Sequence, residues 1–205
     1  MKLPAALTRS LACVLAFSAF GCSDPPPRPA SIGFTVTFQN PMVETGGRNC
    51  PTSAITYEIG DPGPLRSTPG KRLEDGTAGA AISCTIKGKG DGPYRIDVEG
   101  GGRSRSANSM GKQLNITDLG GSVTRNATGN LLNEFGIFTP DTQGMSVGQL
   151  AGVNAASQTC SVGTVYQIGA GLVHADFSCP ALIGSGATDS CSAAGTFVFE
   201  YCQVE

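Results

Sequence analysis

Apolar side chains recur at every second position in short runs separated by glycine and proline, and this period of two limits the chain to extended strands. Ile32, Phe34, Val36 and Phe38 alternate with Gly33, Thr35, Thr37 and Gln39 until Pro41 breaks the pattern. Ile55, Tyr57 and Ile59 repeat it before the breaker Gly60-Asp61-Pro62-Gly63-Pro64. Residues 61–79 carry no period and read as a loop. Ile82, Cys84 and Ile86 then face one way in one strand, and Tyr94, Ile96 and Val98 in the next. The five residues Gly88-Lys89-Gly90-Asp91-Gly92 join these two as a hairpin. Only 15% of the 205 residues are charged, and 29 are glycine, about twice the usual share. Ser and Thr rather than charge therefore solvate the outer faces. The pattern predicts an all-β protein, an antiparallel β-sandwich with long Gly-rich loops and at most short helical turns.

The middle of the chain is less regular. Leu114-Asn115-Ile116 and Ser122-Val123-Thr124 read as short strands on either side of Gly120-Gly121. Leu132, Phe135 and Phe138 stand at helical offsets, yet Thr139-Pro140 stops the run, so a helical turn and a short strand fit equally well. Residues 146–156 read as a further short turn of helix.

Cysteine spacing supplies long-range constraints. Placing a two-residue turn at Gly169-Ala170 sets Cys160 directly across from Cys179 on paired strands, within disulfide reach. The same register puts Val162, Thr164, Tyr166, Val173, Ala175 and Phe177 on one face, and His174 and Asp176 on the other, solvated one. A faint repeat relates the two halves of the domain: Cys50, Tyr57-Glu58-Ile59-Gly60 and Ile82-Ser83-Cys84 match Cys160, Tyr166-Gln167-Ile168-Gly169 and Phe177-Ser178-Cys179. If it is a duplication, Cys50 pairs with Cys84 and Cys191 is left with Cys202, while exchange of Cys191 or Cys202 with Cys160 or Cys179 stays open. No C-x-x-C spacing points to zinc or redox chemistry.

The N-terminus supplies an address. Lys2 and Arg9 precede an apolar run from Ser10 to Gly21, too short for the roughly 20 residues of a spanning helix and laid out as a secretory signal. Ala19-Phe20-Gly21-Cys22 resembles the bacterial lipoprotein signal, although the family usually carries leucine where Ala19 stands. The resemblance implies removal of residues 1–21, acylation of Cys22 and, with Ser23 rather than aspartate following, an outer-membrane location. Ordinary cleavage nearby is the alternative and would leave a periplasmic or extracellular protein. Cys13 is rejected as a rival because only three residues separate it from Arg9. Residues 22–31 then form a Pro-rich linker, and 32–205 the β domain. An exported chain meets an oxidising environment, so Cys50, Cys84, Cys160, Cys179, Cys191 and Cys202 are expected in disulfides.

Chemistry is hard to find. Gly144-Met145-Ser146-Val147-Gly148 fits the G-x-S-x-G nucleophile pattern, but no carboxylate lies between Ser146 and His174, the one histidine. Asp141 or Asp176 would have to be borrowed out of order. A lone histidine cannot complete a zinc site, and Asp75-Gly76 and Asp91-Gly92 read as turns rather than calcium ligands. No metal or cofactor is expected. A net charge of −2 argues neither for nucleic acid nor for strong attraction to acidic lipid, and no nucleic-acid partner is expected. Lys87, Lys89, Arg95, Arg103, Arg105 and Lys112 make one stretch locally basic, and the absence of Trp weakens a lectin reading. The expectation is a lipid-anchored envelope protein that is not an enzyme. It would meet the membrane through its N-terminal lipid and bind or support an envelope protein or polysaccharide. A surface hydrolase using Ser146 or a carboxylate pair is the alternative.

Overall fold

The computed structural model describes residues 26–39, 53–63, 72–125, 127, 129–140, 144–146, 159–184 and 190–204. Among these there are eleven strands and no helix: β1 (Ser31–Gln39), β2 (Ile55–Ile59), β3 (Leu73–Glu74), β4 (Ala81–Lys87), β5 (Tyr94–Arg103), β6 (Gln113–Val123), β7 (Asn130–Phe138), β8 (Met145–Ser146), β9 (Cys160–Gly169), β10 (Leu172–Gly184) and β11 (Ser190–Glu200). All belong to one antiparallel sheet running β2-β1-β11-β10-β8-β7-β6-β5-β4, with β3 paired to β1. The expected antiparallel β architecture is thus built as one continuous curled sheet. Between β10 and β7, β8 occupies one end of the gap and β9 the other, each pairing with both neighbours.

Alternation sets the inner face. Ile32, Phe34, Val36 and Phe38 of β1 are fully buried, as are Tyr57 and Ile59 of β2, and Ile82, Cys84, Ile86, Tyr94, Ile96 and Val98 follow on β4 and β5. Phe177 of β10 sits at the centre of the core. Its ring centroid lies 5.5 Å from that of Phe34, 5.0 Å from Phe135 and 6.0 Å from Phe197, joining four strands by aromatic contact.

Both outermost strands of the sheet are covered. Arg105 donates its amide to the Glu58 carbonyl at 2.7 Å, and the Glu58 amide donates to Ser104 Oγ at 3.0 Å, so the segment after β5 lies along β2. At the other edge, the Ile86 amide donates to the Gln203 carbonyl and the Gln203 amide to the Cys84 carbonyl. The Cys84–Cys202 disulfide, with Cα atoms 4.9 Å apart, fixes that contact covalently. Covered edges remove the unpaired backbone groups that invite association through strand addition.

Several expectations are corrected. The residues around Gly120-Gly121 form one strand, not two short ones, and the strand passes through the glycine pair. The helical offset of Leu132 and Phe135 comes from a β-bulge: Gly120 pairs with Glu134 and Gly121 with Leu132, leaving Asn133 as an extra residue. Two inward side chains therefore stand three positions apart in a strand. Leu73–Glu74 is a short strand inside what reads as a loop. Of residues 146–156, expected to hold a turn of helix, Ser146 belongs to strand β8 instead, and 147–156 lie outside the described residues.

The Cys160–Cys179 disulfide is present, with Cα atoms 4.1 Å apart. The turn, however, falls at Ala170-Gly171, where Gly171 takes φ +69 and opens the hairpin one residue later than expected. Leu172 pairs with Gly169, whereas Phe177 pairs with Val162, and two bulges in β9 absorb the difference. The cysteines face each other only because both bulges are present. Cys84 binds Cys202, which overturns both the Cys50–Cys84 and the Cys191–Cys202 pairing. Cys191 is also disulfide-bonded, and Cys50 lies outside the described residues. The duplication loses its structural corollary too, since β2 and β4 lie at opposite ends of the sheet while β9 and β10 are paired.

Candidate functional site

The bulges in β9 determine what its outer face presents. Val165 pairs with Ala175 and Gln167 with His174, so Tyr166 is an extra residue and swings outward, 55% exposed. It was expected on the buried face opposite Val173, a place that Ile168 takes instead. The Tyr166 hydroxyl donates to Asp176 Oδ2 at 2.6 Å, and its ring lies 4.5 Å from the His174 ring. Thr196 Oγ1 donates to Asp176 Oδ1 at 2.7 Å. One carboxylate therefore ties β9, β10 and β11 together.

His174 is not the solvated side chain expected of it, being only 7% exposed. It stands in a row with Gly33 of β1 and Val198 of β11, and a Cβ on Gly33 would meet the backbone of Asp61 and Pro62, which crosses this face. Burial, and next the positive charge of Arg72, push its pKa below the ordinary value, while Asp176 pulls the other way. The rise that Asp176 alone would cause is thus outweighed. Arg72 itself lies 3.6 Å from Glu200 and donates Nη2 to the Gly63 carbonyl at 2.8 Å. The hydrogen bond to Asp176 raises the Tyr166 pKa and keeps its phenol protonated. Tyr166, His174, Asp176 and Thr196 thus form a clasp across β9, β10 and β11.

Ser146 is placed elsewhere. It pairs with Ile183 of β10 and Gly136 of β7, whereas His174 lies nine residues back along β10. At about 3.3 Å per residue that is a separation of roughly 30 Å along the strand. The two are not brought together. Asp141 lies outside the described residues, as does Cys22.

Carboxylates gather on the outer face of β5, β6 and β7. Asp97 and Glu134 flank Gly120 in one row, with Glu99 and Asp118 a step further along the strands. Partial burial, then Glu134, Asp97 and Glu99 in turn, raise the Asp118 pKa. Beside them opens a shallow groove of about 590 Å³, lined by Asp75, Ser83, Glu99, Gln113, Asn115 and Thr117 among others. Asp75 Oδ1 accepts the Ile82 amide, and Gln113 Nε2 donates to Asn115 Oδ1 at 2.8 Å. Its lining mixes amides, hydroxyls and carboxylates with the apolar Ala81, Ile82 and Ile116, and holds no aromatic side chain. Among the described residues no group of three or more His, Cys, Asp and Glu is arranged to hold a metal ion.

The basic stretch is divided by the fold. Lys87, Lys89 and Arg95 lie at the β4–β5 hairpin, whereas Arg103 and Arg105 lie at the opposite end of β5, where Arg105 pairs with Glu58 at 3.0 Å. Sequence adjacency hides this because β5 runs the length of the sheet. Comparison with protein-family models, with curated proteins and with solved structures finds no match.

Proposed function

We propose that this chain is a lipid-anchored cell-envelope protein, held at the outer membrane by an acylated Cys22, with a binding or structural role and no catalysis of its own. The observation that carries the reading is the pair of disulfides, Cys84–Cys202 and Cys160–Cys179, because such bonds persist in oxidising compartments and agree with a secretory signal. The segment that follows the anchor also contacts the body of the protein. Arg28 Nη1 donates to the Tyr201 hydroxyl at 2.8 Å, with its guanidinium carbon 5.2 Å from the centre of the ring.

A binding role would use the groove beside β4, β5 and β6, whose mixed polar and apolar lining suits an envelope polysaccharide or a protein loop. The alternative of a surface hydrolase draws no support from Ser146, which pairs far along β10 from His174. Mass spectrometry of the mature protein tests the anchor: an acylated N-terminal Cys22 is expected. Cys22→Ser should move the protein from the salt-washed membrane fraction to the soluble one. Retention of residues before Cys22 in the native protein, or unchanged retention of Cys22→Ser on salt-washed membranes, would overturn the reading.

A further inference from the structure

One end of the sheet carries five of the nine lysines and arginines among the described residues. Hydrogen bonds link its parts into a ring: the Arg125 amide donates to the Asp91 carbonyl of the β4–β5 hairpin, and Arg125 Nη2 donates to the Ile168 carbonyl near the β9–β10 turn. The Cys202 amide donates to the Gly171 carbonyl of that turn, Gln203 bonds to β4, and Tyr201 receives Arg28. Among the described residues, Arg28, Lys87, Lys89, Arg95 and Arg125 are exposed on this end, with Asp91 in the same turns and Glu74 and Asp75 exposed on the flank beside β1. Three large apolar or aromatic side chains are also exposed here: Leu131 at 47%, Tyr201 at 48% and Val204 at 57%. Leu131 belongs to the rim because the ladder places Lys87, Arg95, Ser122 and Leu131 in one outward row.

Charge is segregated along the strands. The next outward row up holds Asp97 and Glu134, one step of about 7 Å further from the rim, with Glu99 and Asp118 beyond. That step is about one screening length at physiological salt, so Asp97 and Glu134 weaken the pull of the rim cations on a surface touching the rim without cancelling it. The rim is also where the chain comes in from its N-terminus. Six residues separate Cys22 from Arg28, and six residues reach at most about 22 Å.

We propose that this rim is a membrane-docking face: Lys89, Arg95 and their neighbours meet the phosphates of anionic phospholipid headgroups, while Tyr201, Val204 and Leu131 enter the interfacial layer. An aromatic with one polar end suits that layer, and clustered cations near an acyl anchor supply a second attraction to a bilayer. The orientation it imposes would point the opposite end of the sheet, with Arg103 and Arg105, away from the membrane. The proposal extends the lipid-anchor reading, but its test does not need the lipid.

The full mature chain carrying Cys22→Ser, which lacks the acyl chains, is mixed with vesicles of phosphatidylglycerol and phosphatidylethanolamine or of phosphatidylcholine alone, and sedimented. Binding to the anionic vesicles is expected, weakening as salt is raised, with little binding to the neutral ones. Neutralising the pair, Lys89→Gln with Arg95→Gln, should weaken binding by about fivefold per charge, roughly 25-fold together. Arg103→Gln with Arg105→Gln, at the far end, should change it by less than about twofold. Equal binding to both vesicle types, no salt dependence in the unsubstituted chain, or equal losses from the two pairs would overturn the proposal. An unacylated Cys22 in the native protein would sink the anchor and leave this result standing.

Discussion

His174 shows how far a residue's surroundings can reverse what its neighbours in sequence imply. Asp176, two positions along the same strand, favours a charged imidazole, yet burial and Arg72 outweigh it and hold the ring neutral. A histidine whose pKa is lower folded than unfolded is protonated more readily in the unfolded chain. Its contribution to stability is therefore complete above the unfolded value of about 6.5 and is lost as the pH falls below it toward the folded value. Urea midpoints measured between pH 7.5 and 5 should fall further for the native chain than for His174→Gln. Equal falls would mean that the imidazole is free to protonate in the fold. Tyr166 carries the same lesson. Its outward position depends on a bulge, and a bulge leaves no mark in a pattern of apolar and polar letters.

At the scale of the element, regular strands were legible and irregular ones were not. β1, β2, β4 and β5 keep strict alternation and bury the side chains that alternation predicts. β6, β7 and β9 each take up extra residues, so their inward side chains fall at spacings of three and imitate a helix or a broken strand. Glycine makes one of these irregularities affordable. A Cβ at Gly121 would meet the backbone of its partner strand, 2.5 Å from the Leu131 carbonyl oxygen and 3.1 Å from Leu132 Cα. A Cβ at Gly120 would meet only the Glu134 side chain, whose carboxylate can swing away. Gly121→Ala should therefore cost about 2 kcal/mol or more in urea unfolding, and Gly120→Ala less than about 1 kcal/mol. The reverse order would show that the strand relaxes around the new methyl group.

For the whole molecule, the sequence placed strands but not their order in the sheet. Cys84 and Cys202 are 118 residues apart, and only the curl of the sheet brings the C-terminal segment alongside β4. By chain entropy the long loop they close contributes about 5 kcal/mol, against about 3 kcal/mol for the 19-residue separation of Cys160 and Cys179. The same closure gathers the hairpin cations, Tyr201 and Arg28 at one end, which neither composition nor net charge reveals. Of the candidate site, Ser146 and His174 were visible as residue types, but their separation was a matter of topology. Peptide mapping of the mature protein without reduction tests the closure most directly. Peptides joining Cys84 to Cys202 and Cys160 to Cys179 are expected, and a peptide joining Cys84 to Cys50, or Cys202 to Cys191, would contradict it.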